Sequence, residues 1–284
     1  MPHCTTDDGV RIYFEEAGSG FPIIFAHEFG DNYQSWEQQL SHFARRYRCV
    51  AYAARGYPPS DVPAAGADYS ITRVAADIGC LLDHLGAEVA HLVGVSMGSF
   101  AVLNFALGNP ARVRSLVVGS CGAGVTTDPA QQKARLAAVE ERARLYEELG
   151  AEVMADRMAN LAVRRTFKAK DPRGWSAFRD RLKKHSPEGC ARTLRGSFLN
   201  RPSVYDQRDQ LRACDIPTLL MFGDDDTPAI APMHFMREQM PRAGLTVFPY
   251  SGHNLNIEEP VAFNRALDDF FHACELGRWG YQIS

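Results

Sequence analysis

Two hydrophobic periods alternate along the chain, and the switches between them mark its elements. The segment 11–16 (RIYFEE) follows the turn residues Asp7, Asp8 and Gly9, and its central side chains predict an edge hairpin strand. FPIIFA, residues 21–26, is a continuous apolar run of the kind shown by a parallel strand buried on both faces. From Ser35 to Phe43, Trp36, Leu40 and Phe43 stand at helical spacing. Residues 48–53 form the next predicted strand, followed by the loop ARGYPPSD, whose two prolines bar regular structure. From Thr72 to Leu85 the residues Val74, Ile78, Leu81, Leu82 and Leu85 share one helix face, and Gly86 ends the helix. His91 to Gly108 predicts a strand, a sharp turn and an apolar helix, and Val113 to Ser120 another buried strand.

From about Asp128 to Arg212 the alternation gives way to helix formers, broken at Asp171-Pro172, Ser186-Pro187 and Arg201-Pro202. Strands and helices resume with TLLMF at 218–222, a helix at about 230–239, a strand at 245–248 and a closing helix at 260–275. That last helix is expected to turn Val261, Phe263, Leu267 and Phe270 inward, and the tail from Gly277 to Ser284 to be loosely held. Strands alternating with helices at this spacing imply an α/β fold with a doubly wound, mostly parallel sheet. About ninety helical residues are too many for a loop. The expected organisation is a core domain of residues 1–121 and 213–284, with 122–212 inserted as a helical cap over the ligand-binding carboxyl ends of the strands.

Composition narrows the class. The chain has 284 residues, of which 45% are hydrophobic and 23% charged, as in an ordinary soluble globular protein. The first ten residues show no basic region and no apolar run of a leader, and no stretch approaches a membrane span, so a cytoplasmic protein is expected. Seven scattered cysteines make neither a metal motif nor a disulfide framework, and no metal is expected. The net charge of -3 is unevenly spread: residues 122–212 hold 19 Lys and Arg against 12 Asp and Glu. Nucleic acid is not an expected partner, because the whole chain is acidic and no binding motif accompanies the basic stretch. A homodimer stays open.

The candidate chemistry centres on Gly94-Val95-Ser96-Met97-Gly98, a Gly-x-Ser-x-Gly pentapeptide between the strand and the helix. A serine at the tip of such a turn must adopt a strained backbone, and glycines two residues to either side remove side chains that would meet the neighbouring strand and helix. Further along, Gly223 ends a strand and opens onto Asp224, Asp225 and Asp226, and His253 follows the last strand. A serine hydroxyl needs an imidazole to take its proton and a carboxylate to orient that imidazole.

With these residues together, the chain resembles the α/β-hydrolase superfamily, in its capped subgroup of small esterases and C–C bond hydrolases, from about Arg11 to Cys274. The resemblance implies a nucleophile at Ser96 and a catalytic histidine at His253. It places the acid three residues beyond the strand-ending glycine, at Asp226, with Asp224 and Asp225 as rivals. It also implies an oxyanion hole made by the backbone N–H groups of Met97 and Phe29, and no cofactor. The chain departs from the family pattern where His27-Glu28 replaces the usual His-Gly, so Glu28 either brings a carboxylate to the substrate or points to solvent. At Ala54-Arg55-Gly56 relatives often carry Asp before the Arg-Gly pair, and Arg55 is expected to support the strand end.

Between Asn160 and Arg201 stand 12 basic and 3 acidic side chains. They form either a solvated helical face or a subsite in which Arg164 or Arg165 binds a substrate carboxylate. Trp175, Phe167, Phe178 and Phe198 are candidates for the pocket wall and equally for the insertion's own core. His27, Glu28, Arg164, Arg165 and Trp175 are therefore the expected substrate-side residues. The expected activity is hydrolysis of a small-molecule carboxylic ester or lactone through an acyl-enzyme. Cleavage of a C–C bond beside a ketone is the alternative, with perhydrolase or haloperoxidase chemistry and a non-catalytic ligand receptor further behind.

Overall fold

A computed structural model describes residues 2–64, 66–122 and 125–280, with only the backbone at 66 and 67. Its described residues form one sheet of β1 (His3–Thr5), β2 (Arg11–Ala17), β3 (Phe21–Ala26), β4 (Tyr47–Tyr52), β5 (Ala90–Val95), β6 (Val113–Gly119), β7 (Thr218–Gly223) and β8 (Ala243–Phe248). The spatial order is β1-β2-β4-β3-β5-β6-β7-β8. Pairing is antiparallel at β1–β2 and β2–β4 and parallel from β4 to β8. β2 is not the edge strand its sequence suggests, since Cys4 of β1 lies opposite Ile12 on its outer side. Three residues are too few to leave a readable period.

The helices in order are α1 (Glu37–Phe43), α2 (Ile71–His84), α3 (Met97–Gly108), α4 (Pro129–Ala159), α5 (Arg165–Lys170), α6 (Pro172–Leu182), α7 (Pro187–Thr193), α8 (Arg208–Ala213), α9 (Thr227–Gln239), α10 (Leu255–Glu258) and α11 (Pro260–Glu275). The segment between β6 and β7 is thus a helical insertion. Two breaks read from its sequence, Asp171-Pro172 and Ser186-Pro187, are helix starts, as is Asp128-Pro129. In each, the Asp or Ser side chain accepts from a first-turn N–H, and proline fills the first helical position, where no donor is needed. α4 is kinked at Gly150, whose φ of 74° suits only a residue without a side chain.

Because the sheet is covered on both faces, each central strand sends alternate apolar residues to opposite sides. Ile24, Leu92, Val118 and Leu220 join the cluster that includes α2, α3, α9 and the insertion. Ile23, Phe25, Val93, Val117 and Leu219 join Trp36, Leu40 and Phe43 of the α1 region and Phe263, Leu267, Phe270 and Phe271 of α11. That arrangement explains the unbroken apolar runs. Each fully buried side chain of this size contributes about 1.5–3 kcal/mol relative to exposure. Val261 departs from expectation: it is 82% exposed. It lies two residues, or about 200° of helix turn, before Phe263 and so faces away from the core. The tail also departs, since Trp279 packs edge-on against Phe270 and donates to the Arg242 carbonyl at 2.9 Å. Residues 281–284 lie outside the described ones. Among the described residues no helix is long and apolar enough to cross a membrane.

Candidate active site

Ser96 lies at the end of β5 with φ 54° and ψ -112°, the strained turn the pentapeptide calls for. Both glycines are needed. A Cβ on Gly94 would stand 2.5 Å from the Gly98 backbone, and one on Gly98 would stand 2.0 Å from the Ala26 carbonyl oxygen of β3. Although Ser96 precedes α3, its side chain makes no capping hydrogen bond. It is also the one residue between Ala90 and Leu103 that is not buried. Its hydroxyl is thus exposed to the cavity and not committed to the helix.

At the neighbouring strand ends stand His253 and Asp226. The His253 Nδ1–H donates to Asp226 Oδ2 at 2.8 Å, which leaves Nε2 of the neutral ring with its lone pair. Asp226 precedes α9 but does not cap it, and its Oδ1 has no hydrogen-bond partner among the described residues, so its pairing rests on the imidazole. The rivals are accounted for elsewhere: Asp224 accepts from the Ser251 N–H, and Asp225 pairs with Arg165. Burial opposes charging of His253, but the Asp226 carboxylate and then Glu28 outweigh it and raise its pKa above the ordinary 6.5. The loop carrying His253 is held by the insertion, because its N–H donates to the Val163 carbonyl at 3.0 Å. A Cβ on Gly252 would stand 2.1 Å from that same oxygen.

The loop after β3 is pinned from two sides. His27 Nε2 accepts from the Ala54 N–H at 3.0 Å, so its Nδ1 carries the proton and donates to the Glu28 carbonyl at 2.7 Å. The Tyr57 hydroxyl donates to the Phe29 carbonyl at 3.0 Å. Glu28 does not point to solvent. It is 4% exposed, and both its oxygens accept from Arg164 Nη2, at 2.9 and 2.8 Å, while Asn254 Nδ2 donates to Oε1. Arg164 further donates to Asn254 Oδ1 and the Met158 carbonyl, with its guanidinium over the Phe178 ring. Glu28 Oε2 also lies 3.8 Å from His253 Nε2.

A cavity of about 240 Å³ is lined by Ser96, His253, Asp226, Glu28 and Phe29, together with Arg135, Ala138, Val139 and Arg142 of α4, Arg164, Phe198 and Arg201. Of the expected substrate-side residues, Glu28 and Arg164 reach this cavity, but Arg164 is engaged by Glu28. His27, Arg165 and Trp175 are not among its lining residues. His27 is buried as a tie between β4 and the loop, Arg165 is exposed and paired with Asp225, and Trp175 donates to the Ala159 carbonyl beneath Lys168. Phe198 belongs to the wall, whereas Phe167 and Phe178 pack on each other inside the insertion. Arg55 supports the strand end as expected, through buried bonds to Asp77 and an ion pair with Asp8. Asn254 was missed, as were Arg135 and Arg142. Asn254 is signalled by its place beside the histidine, whereas Arg135 and Arg142 stand among many similar charges in the helical stretch.

The family model described as the alpha/beta hydrolase fold matches residues 22–260. A 3-oxoadipate enol-lactonase of Acinetobacter baylyi is 29% identical over 247 residues, covering 87% of this chain and 86% of its own. Among solved structures, a thermophilic esterase from Thermogutta terrifontis with malate bound superposes with a TM-score of 0.83 at 25% identity, over 96% of this chain and 98% of its own. An esterase from Exiguobacterium antarcticum gives 0.81 at 25% identity, over 95% and 98%. With eight strands in this order among the described residues, an inserted run of helices and a family match spanning most of its length, the chain belongs to the α/β-hydrolase family.

Proposed function

We propose that the chain is a cofactor-free serine hydrolase that cleaves a small carboxylic ester or lactone through an acyl-enzyme on Ser96. The observation that carries this reading is the Ser96 elbow opening into the same cavity as the hydrogen-bonded His253 and Asp226 pair. The kinship with a lactonase and with esterases supports it.

In this mechanism His253 Nε2 takes the Ser96 proton as Oγ attacks the carbonyl carbon. The new oxyanion is held by the N–H groups of Met97 and Phe29, the first of which belongs to the opening turn of α3, where backbone donors lack helical acceptors. Collapse breaks the ester bond, and the imidazolium returns the proton to the leaving oxygen. Water activated by the same imidazole then attacks the acyl carbon and releases Ser96. Asp226 and Glu28, which raise the histidine pKa, favour the imidazolium formed in both halves of the reaction. The helical insertion at 122–212 serves as a cap that closes the cavity and holds the histidine loop through Val163. Cleavage of a C–C bond beside a ketone would use the same side chains, and a 1,3-diketone offered beside an ester separates the two.

The test is turnover of 4-nitrophenyl acetate. Ser96→Ala and His253→Ala should each lower kcat by at least about a thousandfold. Equal turnover by wild type and Ser96→Ala would overturn the reading.

A further inference from the structure

The cavity beside Ser96 carries more positive than negative charge. Its lining includes Arg135, Arg142, Arg164 and Arg201 against Glu28 and Asp226. Glu28 is matched by Arg164, and Asp226 faces His253. Three guanidinium groups are left with no carboxylate partner among the described residues.

Their surroundings make this more than a solvated surface. Arg135, Ala138, Val139 and Arg142 follow the spacing of one helix face, so α4 presents to the cavity two small apolar residues flanked by arginines whose backbones are about 10 Å apart along the helix axis. Carboxylates exist on the same helix, but they are spent elsewhere. Glu141 and Glu148 pair with Arg144, and Glu140 and Glu147 pair with Arg195. Arg142 makes no hydrogen bond or ion pair with any described residue. The Arg201 guanidinium lies over the Phe100 and Phe198 rings, at 4.3 and 4.5 Å from their centroids, and its buried Nε has no acceptor among the described residues. Phe100 is one helical turn beyond Ser96, which puts this cation near the reacting end of the cavity. Arg135 contacts only neutral acceptors, the Gln132 side chain and the Phe198 carbonyl.

Desolvated cations without counter-ions are costly, and planar guanidinium groups pair best with a carboxylate or phosphate. We propose that Arg135, Arg142 and Arg201 form an anion subsite, and that the substrate is an ester or lactone bearing a free carboxylate. The inference rests on the hydrolase reading and adds the substrate class to it. Burial holds Arg201 down to about 10, against the opposing influence of Cys121 and with Arg135 adding to it, and burial likewise lowers Arg142 and Arg135. Arginines paired with carboxylates, such as Arg195 and Arg48, are instead raised by those partners. A bound carboxylate would restore the same balance here. The cavity of about 240 Å³ lies below the roughly 300–1,000 Å³ of drug-sized pockets, so the substrate is small.

The experiment compares monomethyl glutarate with dimethyl glutarate, matched in length and differing by one charge. Wild type should favour the anion in kcat/KM by about tenfold or more at low ionic strength, and added salt should erode that preference. Arg142→Gln and Arg201→Gln should each cut the anion-to-neutral ratio by about tenfold. In parallel, titration of glutarate and of inorganic phosphate into the Ser96→Ala protein reads the subsite without turnover. Glutarate should bind, and Arg142→Gln in that background should weaken it by about tenfold. Turnover of the neutral ester with a ratio at or below one, or a ratio unchanged in both arginine variants, would overturn the inference while leaving the hydrolase reading intact. Phosphate binding without glutarate binding would also overturn the carboxylate assignment. No turnover of either ester, with glutarate still bound and weakened by Arg142→Gln, would sink the hydrolase reading and keep the subsite.

Discussion

Glu28 shows how much one side chain alters a familiar constellation. Its carboxylate is buried, neutralised by Arg164 and held 3.8 Å from His253 Nε2, so it acts electrostatically on the imidazole while tying the loop after β3 to the insertion. Since a general base must be neutral, kcat/KM should rise with pH through the His253 pKa, with its ascending limb above 6.5. Replacing Glu28 by Gln removes a carboxylate that favours the imidazolium and frees the Arg164 cation that opposes it. Both changes lower the pKa, so a pH profile of Glu28→Gln should show the limb displaced to more acidic pH; an unmoved limb would refute the coupling. The variant should also melt lower, because stranding a buried charge costs about 3–5 kcal/mol. That Ser96, Asp226 and His253 meet at one cavity was legible through the family resemblance, because each stands at a fixed offset from a strand end or a glycine. Glu28's partner was not, because Arg164 is one of 12 basic residues in a helical stretch and its direction is set by packing against Phe178 and Met158.

At the level of elements, the strands and their helices were readable because burial on both faces leaves continuous apolar runs and one-sided helix stripes, as in FPIIFA and in the Val74, Ile78, Leu81 and Leu82 face of α2. What escaped was governed by length or by packing: three-residue β1, exposed Val261, and the start of α9 at Thr227 in place of about 230, with Pro228 and Pro232 inside it. The junction of β5 and α3 leaves no room for an added side chain. Gly98→Ala would push a methyl to 2.0 Å from the Ala26 carbonyl oxygen, displacing β3 and with it the loop bearing Phe29. We expect it to cost about 1–3 kcal/mol by thermal or urea unfolding and to reduce ester turnover sharply. Gly108→Ala in the same helix, where an added Cβ meets nothing within 4 Å, should be neutral or stabilising by up to about 1 kcal/mol. Equal effects of the two would show that the elbow is not sterically constrained.

Across the whole molecule, the charge asymmetry seen in the sequence becomes a pattern of contacts. The basic insertion is fastened to the acidic remainder through Arg164–Glu28, Arg165–Asp225, Arg181–Asp31 and Lys170 with Glu258 and Glu259. Two of these ties surround the loops of Glu28 and His253, so the same residues that hold the insertion in place shape the cavity above Ser96. Composition revealed the asymmetry but not its use, since a count of charges carries no pairing. Arg135, Arg142 and Arg201, which take part in none of these ties, line the cavity, where the substrate is proposed to supply the missing anion. The hydrolase reading depends on Ser96 being the nucleophile activated by His253. The most direct measurement is the mass of the intact protein after reaction with a fluorophosphonate, followed by peptide mapping. The account predicts one adduct per chain, on Ser96, absent in Ser96→Ala and strongly slowed in His253→Ala. An unlabelled Ser96 in a protein that still turns over esters, or an adduct on another residue, would contradict it.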